Sequence, residues 1–241
     1  MLELQNISYL APQGEEKEIL KDVSLKIDDK FTVITGPNGS GKSTLAKIIM
    51  GIIQPTSGKI LYNGQDITEM SVTERAKAGI SFAFQQPVRF KGITVRDLVQ
   101  LAAGKKISFA ECCDYLSQVG LCAKDYVNRE LDASLSGGEA KRIEIAMVLA
   151  RGTQVAIFDE PERGIDLWSF ASLTKVFENL QKQLNGHIII ISHQERILDI
   201  ADRIILLRDG EIRQEGSKEE IMPYILGTTT PDCRRVKETG I

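Results

Sequence analysis

The sequence has no apolar run that could cross a membrane. The run IIII at residues 188–191 has the length of a strand, whereas a spanning helix needs roughly 18 apolar residues. The first ten residues, MLELQNISYL, lack the basic segment followed by an apolar one that marks a signal peptide. We therefore expect a cytoplasmic protein with no direct membrane insertion.

An excess of basic residues is also missing. The 241-residue chain has 30 lysines and arginines against 33 aspartates and glutamates, which gives a net charge of −3. Nucleic-acid-binding proteins usually have a basic surplus, so we expect no nucleic-acid partner. The composition, 42% hydrophobic and 26% charged, is that of an ordinary globular protein. The length allows one large α/β domain or two small ones.

Cysteine is scarce, and no two cysteines are spaced as C-x-x-C. The four are Cys112, Cys113, Cys122 and Cys233, and three of them fall in one predicted helical stretch. We interpret them as small, buried apolar side chains in a reducing compartment. A metal or cluster site and redox sensing remain the alternatives.

Apolar strands alternate with helical patterns along most of the chain, which predicts an α/β fold with a mixed sheet flanked by helices. KSTLAKIIMG (42–51) predicts a helix that ends at Gly51. The predicted strands are FTVITG (31–36), KILY (59–62), ISFAF (80–84), VAIFDE (155–160), HIIIIS (187–192) and the hairpin RIILLRDGEIRQEG (203–216).

The stretch from residue 94 to about 151 offers few strand candidates. Three predicted helix starts there have a Ser or Thr with an acid three residues later, the pattern of a reciprocal N-terminal cap. These pairs are Thr94 with Asp97, Ser108 with Glu111, and Ser136 with Glu139. We predict a single domain, 1–241, with a helical lobe (about 87–151) inserted into an α/β core (about 1–86 and 152–225), and a polar tail (about 226–241).

GPNGSGKS, at residues 36–43, fits the phosphate-loop pattern G-x-x-x-x-G-K-[ST], and it follows a strand and opens a helix. Glycines let the backbone turn its N–H groups toward a phosphate, and the positive end of the helix adds to that field. Lys42 would neutralise the β- and γ-phosphates, and the Ser43 hydroxyl would bind Mg²⁺. The predicted ATP-binding loop comprises Gly36, Pro37, Asn38, Gly39, Ser40, Gly41, Lys42, Ser43 and Thr44.

Two adjacent acids end the strand VAIFDE. Side chains alternate along a strand, so Asp159 and Glu160 are expected to point in opposite directions. This arrangement suits Asp159 as a group that faces Mg²⁺ through water and Glu160 as the group that polarises the attacking water. The alternative, a pair of solvated acids at a strand end, is less favoured next to a phosphate loop.

LSGGE (135–139), with the phosphate loop upstream and FDEP about twenty residues downstream, resembles the nucleotide-binding subunits of the ABC family. The resemblance covers about residues 1–220. It implies an ATPase that forms ADP and phosphate, in which two cassettes face each other and each ATP lies between one phosphate loop and the other chain's signature. Here the signature is Ser136, capping a helix that begins with Gly137 and Gly138. A purely structural cap is the alternative.

The same resemblance implies further roles. Gln85 would touch Mg²⁺ and couple the core to the helical lobe, and His193 would contact the γ-phosphate. Asp166, at the end of GID (164–166), would face the dimer interface. His187 is interpreted as structural.

The sequence departs from the family pattern at two places. Arg163 stands where the loop Ser-Gly-Leu-Asp usually has its serine, and it would either pair with an acid across the interface or be solvated. The family often supplies an aromatic from the N-terminal strand to stack on adenine. Ala11 aligns there, with Tyr9 two residues earlier, and Tyr9 could stack on adenine or pack in the core.

The stretch FAFQQPVRFKGITV (82–95) bears on the partner. It most resembles the SufC-type soluble ABC ATPases of iron–sulfur cluster assembly, which implies a SufB/SufD-like scaffold partner docking near Gln85–Gly92. The alternatives are the ATP-binding subunit of a membrane ABC transporter, and a nucleotide-sensing module with little turnover.

Overall fold

The structure is a computed structural model that describes residues 1–12, 17–86, 88–132 and 134–225, with only the backbone at positions 167 and 168. The predicted polar tail, Cys233 and Pro87 lie outside the described residues. Within these ranges, no helix is both long enough and apolar enough to traverse a bilayer.

The described residues form strands and helices that alternate along the chain. The strands are β1 (Leu2–Ala11), β2 (Lys17–Ile27), β3 (Phe31–Thr35), β4 (Ser57–Tyr62), β5 (Gln65–Asp66), β6 (Ile80–Ala83), β7 (Phe90–Thr94), β8 (Glu130–Leu131), β9 (Val155–Asp159), β10 (His187–Ile191), β11 (Arg203–Arg208) and β12 (Glu211–Gly216). The helices are α1 (Lys42–Met50), α2 (Val72–Lys77), α3 (Val95–Ala103), α4 (Phe109–Gln118), α5 (Ala123–Tyr126), α6 (Gly137–Arg151), α7 (Leu167–Gln183), α8 (Glu195–Leu198) and α9 (Lys218–Ile225).

A six-stranded sheet in the order β12-β11-β3-β10-β9-β6 forms the centre of the fold. Its neighbours are parallel except β11 and β12, which pair antiparallel. The predicted mixed sheet flanked by helices is therefore confirmed. The carboxyl ends of β3 and β9 lie at the same edge, which brings the phosphate loop and the acids of VAIFDE together.

The central strands are buried on both faces. In β10, Ile188 and Ile190 join one apolar cluster, shared with the helices α3, α4, α6 and α7. Ile189 and Ile191 join a second cluster, which contains α1 and the N-terminal strands. This explains why the central strands are continuous apolar runs rather than alternating patterns.

A second, antiparallel sheet has the order β2-β1-β4-β5. Its long β1–β2 pair was not among the predicted strands. The irregular register of this pair, with shifts between Leu4 and Leu10, breaks the period-two pattern that reveals a strand.

Helices α3 to α6 all fall between β6 and β9 in the chain, although these two strands are neighbours in the sheet. The three predicted caps are present with both reciprocal hydrogen bonds, and a fourth of the same kind joins Ser71 to Glu74. The short pair β7–β8 adds strand structure that was not predicted. The boundaries proposed for the core and the lobe remain a prediction.

Arg75, on α2, is completely buried. Its guanidinium donates to Ile48 O and Ile49 O at 2.7 and 2.8 Å, to Thr68 O at 2.6 Å and to Met70 O at 3.1 Å. The last carbonyls of a helix have no partner within the helix, so Arg75 satisfies the end of α1 from outside.

Candidate functional site

The phosphate loop turns sharply between β3 and α1, and two of its glycines are required by the space around them. Gly36 and Gly41 have φ values of 145° and 101°. A Cβ at Gly36 would overlap the Leu207 carbonyl oxygen, and one at Gly41 would lie 2.6 Å from Leu20 Cδ2. Any larger residue would therefore displace the loop from the start of α1.

The loop holds a cation and a hydroxyl in place for an anion. Lys42 Nζ donates to the carbonyl oxygens of Gly36 and Pro37, both at 2.8 Å. Burial lowers the pKa of Lys42, while Glu160 and Asp159 act in the opposite direction. The hydroxyl of Ser40 is buried and has no hydrogen-bond partner in the described part of the chain. Both groups fit a phosphate that would give them negative partners.

A cleft of about 270 Å³ opens over this loop. Its lining residues are Ile19, Asn38, Gly39, Gly41, Lys42, Ser43, Thr44 and Glu160. Ile19, from β2, was missed because the β1–β2 pair was not predicted. Tyr9 is partly buried and packs against the apolar core, in line with the packing alternative.

Asp159 ends β9 and is 4% exposed. Ser43 Oγ donates to its Oδ1 at 2.8 Å, which joins the phosphate loop to the strand end. Burial raises the pKa of Asp159, and the hydrogen bond from Ser43 counters this. A hydroxyl and a carboxylate at this distance are the oxygen ligands that Mg²⁺ prefers, so these two residues fit the metal.

The backbone of Glu160 differs from the expectation. It lies outside β9 with φ 41°, so the strand alternation predicted for the two acids does not extend to it, and its side chain lines the same cleft. Gln85 Nε2 donates to its Oε2. Arg163 Nη1 lies 3.4 Å from the same oxygen. Arg163 therefore contacts an acid of its own chain while its side chain stays 62% exposed, in line with the solvated alternative.

A second cavity, of about 390 Å³, adjoins Glu160. It is lined by Asn38, Glu160, Glu162, Arg163, Gly164, His193 and Gln194. His193 and Glu160 thus share one cavity, and Asn38 and Glu160 line both cavities. His187 contacts the backbone oxygen of Asp29 at 2.9 Å and lines neither of them.

Glu162 was missed by the sequence reasoning. It is buried, and Ser192 Oγ donates to its Oε1 at 2.6 Å while accepting from the Gln194 amide at 3.0 Å. Its other oxygen, Oε2, is buried without a hydrogen-bond partner among the described residues. Burial raises the pKa of Glu162, and the Ser192 bond opposes the rise. The signal was present as a second acid two residues after Glu160.

The predicted signature stands apart from both cavities. Ser136, Gly137 and Gly138 open α6 but line neither cavity. A Cβ at Gly137 would lie 3.0 Å from Gly164 O, so the start of α6 packs tightly on the turn that follows Glu160. Asp166 Oδ1 accepts from the Ser169 amide at 3.0 Å, at the start of α7.

A buried ion pair connects α6 to the segment after β6. Lys141 Nζ lies 2.8 Å from Glu144 Oε2, and the two side chains are 2% and 8% exposed. Lys141 also donates to Phe84 O. Burial raises the pKa of Glu144, and Lys141 lowers it. The Lys141 contact holds Phe84, which precedes Gln85, against the helix that begins at the signature.

An apolar groove of about 260 Å³ lies beside that segment. Its lining residues are Met50, Ala76, Ile80, Ser81, Phe82, Ala83, Phe84, Val88, Phe90, Ala102, Glu144, Met147, Val148 and Arg151. The side chains of Phe84, Val88 and Phe90 are 42%, 43% and 37% exposed. Large apolar groups clustered at a surface mark a place where another protein or ligand binds.

The cysteine prediction is correct for Cys112, which is buried, and wrong for Cys122, which is exposed at the N-terminal cap of α5. Cys113 is intermediate. Burial raises the pKa of the Cys112 thiol. In the part of the chain that the structure describes, no group of three or more His, Cys, Asp or Glu residues could hold a metal ion.

The fold and the phosphate loop with its paired acids define a nucleotide-binding ATPase cassette. The sequence profile described as "ABC transporter" matches residues 20–163, more than half of the chain. The chain belongs to this family, and it is an ATPase that binds and hydrolyses ATP.

Similar proteins and structures agree with this assignment. The chain is 40% identical over 214 residues to an uncharacterized ABC transporter ATP-binding protein of Methanocaldococcus jannaschii, with 85% of each chain covered. It is 36% identical over 219 residues to the probable ATP-dependent transporter ycf16 of Pyropia yezoensis, covering 84% of this chain and 86% of that one. The dimeric structure of the ATP-binding cassette MJ0796 bound to ADP and Pi has a TM-score of 0.80 at 26% identity, covering 90% and 99%.

Proposed function

We propose that this chain is the ATP-binding subunit of an ABC transporter, located at the cytoplasmic face of a membrane, and that it drives a partner docked in the apolar groove. The proposal rests on the contact between the segment that lines the groove and the proposed catalytic residue Glu160. Phe84 and Val88 line the groove, and between them in the chain Gln85 donates to Glu160. The relatives are named as transporter components, and these names support a membrane-embedded partner.

We propose further that two cassettes pair around ATP. The signature residues Ser136 and Gly137 line neither cavity of their own chain, although the free N–H groups at the start of α6 suit an anion. A second chain that faces the first would bring its signature to the open side of the cleft. The dimeric structure of MJ0796 with ADP and Pi supports the pairing of two cassettes.

In the proposed reaction, Lys42 and the loop amides bind the phosphates and stabilise the charge that develops on them. Glu160 orients the attacking water and accepts its proton, and His193, in the same cavity, contacts the γ-phosphate. Ser43 and Asp159, with Gln85 nearby, would hold Mg²⁺, which supplies further positive charge at the phosphates.

A second candidate partner is a soluble SufB/SufD-like scaffold of iron–sulfur cluster assembly. The observation that favours it is the origin of the groove residues. Phe84, Val88 and Phe90 come from the stretch FAFQQPVRFKGITV, whose pattern resembles SufC-type ATPases. The ATPase chemistry is the same for both candidates, and only the nature of the partner differs.

Affinity capture of the detergent-solubilised complex from native cells tests the groove. A variant with Val88→Asp and Phe90→Asp should lose the partner, whereas Leu101→Asp should retain it, since Leu101 is 75% exposed but outside the groove lining. An integral membrane protein captured in this groove-dependent way supports the transporter. Capture of a soluble protein that contains iron and sulfide supports the second candidate. If the groove substitutions leave the capture unchanged, docking in the groove is refuted.

The ATP site is tested separately. Glu160→Gln should retain ATP binding and lower turnover by roughly 10²-fold, the usual scale for a positioned base. Lys42→Ala should weaken nucleotide binding itself. Unchanged turnover in the first variant would remove Glu160 from its role, and unchanged affinity in the second would contradict the phosphate-loop assignment.

A further inference from the structure

A hydrogen-bond network at the start of α6 holds the signature in position. Tyr126, in the last turn of α5, donates its hydroxyl to Glu139 Oε1. The other oxygen of Glu139 accepts from the Ser136 amide at 2.7 Å, and the Glu139 amide donates to Ser136 Oγ at 3.3 Å. Both carboxylate oxygens of Glu139 are therefore engaged, one by the cap and one by Tyr126.

The same tyrosine anchors the loop that leads into the signature. The Arg129 guanidinium lies 5.3 Å from the centre of the Tyr126 ring, a cation–π distance. Arg129 also donates to Ser134 O and Ser134 Oγ at 3.3 and 3.2 Å. Asp132 Oδ1 accepts from the amide and hydroxyl of Ser134 at 2.9 and 2.7 Å. Tyr126 thus contacts Arg129, which is bonded to the loop before the signature, as well as Glu139 at the start of α6.

The cap of α6 differs in this respect from two other caps with the same reciprocal pattern. In the described part of the chain, Glu74 and Asp97 accept hydrogen bonds only from their own capping residues, Ser71 and Thr94. A cap needs no third partner to start a helix, so the Tyr126 bond has a purpose beyond helix initiation.

We infer that Tyr126 is a positioning residue for the signature: it holds Glu139, and through it Ser136, in the arrangement that meets the nucleotide of the facing chain. The inference rests on the proposed pairing of two cassettes. The hydrogen bond from Tyr126 holds the pKa of Glu139 below its usual range, so this carboxylate stays ionised. An ionised carboxylate repels an incoming triphosphate, and the bond from Tyr126 keeps this one fixed against the cap rather than free to turn toward the phosphates.

The experiment uses the full chain with Glu160→Gln, which is expected to bind ATP without consuming it. Tyr126→Phe is introduced into this parent, with Tyr115→Phe as the matched control, because Tyr115 packs against the core of the same helical region. ATP affinity is measured on dilute protein, and ATP-driven pairing is measured by sedimentation over a range of chain concentrations.

Loss of a hydrogen bond to a charged group should raise the chain concentration needed for ATP-driven pairing by about 10-fold in Tyr126→Phe. Its ATP affinity in dilute protein should equal that of the parent, and Tyr115→Phe should match the parent in both measurements. Pairing of Tyr126→Phe at the parent's concentration overturns the inference, as does an equal loss of nucleotide affinity in the dilute chain. If the parent itself fails to pair with ATP, the proposed pairing is wrong and this inference falls with it.

Discussion

The buried pair Lys141–Glu144 offers a sharp test of how α6 is joined to Phe84, the residue after β6. In Glu144→Ala, the Lys141 ammonium would remain at a site that is 2% exposed, with the carbonyl of Phe84 as its remaining acceptor. The substitution therefore leaves a buried charge that is poorly satisfied.

The cost follows from the burial. Removal of one partner from a buried ion pair destabilises a protein by about 3–5 kcal/mol, because the charge that remains is not compensated. For a chain of this size, each kcal/mol lowers the Tm by roughly 2–4 °C, so Glu144→Ala should melt about 6–20 °C lower. Lys141→Met combined with Glu144→Leu removes both charges and should recover most of that loss.

Thermal unfolding of the wild type, Lys141→Met, Glu144→Leu and the double variant completes a double-mutant cycle. We expect Lys141 and Glu144 to be coupled by more than about 1 kcal/mol, since contacting residues are not additive. A Glu144→Ala variant that melts within about 2 °C of the wild type would refute the reasoning, as it would mean that water reaches the pair. Additive single effects would refute the direct contact.

Two further predictions concern the turn after Glu160. The Arg163 side chain is 62% exposed, so its ion pair contributes at most about 1 kcal/mol to stability, and Arg163→Ser should leave the Tm nearly unchanged. Loss of the Arg163 contact, which leaves Gln85 as the donor to that Glu160 oxygen, should raise kcat by up to about 5-fold at constant KM, with Arg163→Lys as the control; a lower kcat would mean that Arg163 assists the reaction. Burial raises the pKa of Glu162 above 4.5, so its contribution to the free energy of unfolding is full below about pH 4.5 and is lost as the pH rises through the folded-state pKa. Glu162→Gln cannot ionise, so denaturant titrations from about pH 4 to 8 should find the variant gaining stability relative to the wild type as the pH rises; a constant difference would contradict this.

The features that were best predicted from the sequence are those formed by residues close together in the chain. The phosphate loop and the three caps are of this kind, because a cap joins residues three apart and the loop is one continuous turn. The central sheet was also predictable, since strands buried on both faces are continuous apolar runs. The fold class and the nucleotide chemistry follow from these local signals.

Contacts between distant parts of the chain could not be predicted in this way. Ser192 reaches Glu162 across thirty residues and Lys141 reaches Phe84 across 57, and both contacts depend on how strands and helices are placed in space. The alternation argument does not extend to Glu160 for another reason. Side chains alternate only along an extended backbone, and the backbone of Glu160, with a φ of 41°, is not extended.

Arg75 gives the phosphate-loop helix a fixed far end. Its guanidinium ties the carbonyls of Ile48 and Ile49 to those of Thr68 and Met70. A lysine has one nitrogen and could not serve four acceptors in this planar spread, so the position accepts no other cation. In mechanical terms α1 is the stationary part of the site, against which other segments can move. Movement that follows nucleotide binding is therefore expected at Gln85 and in residues 160–166, whose side-chain contacts can exchange, while the helix behind the phosphates stays in place.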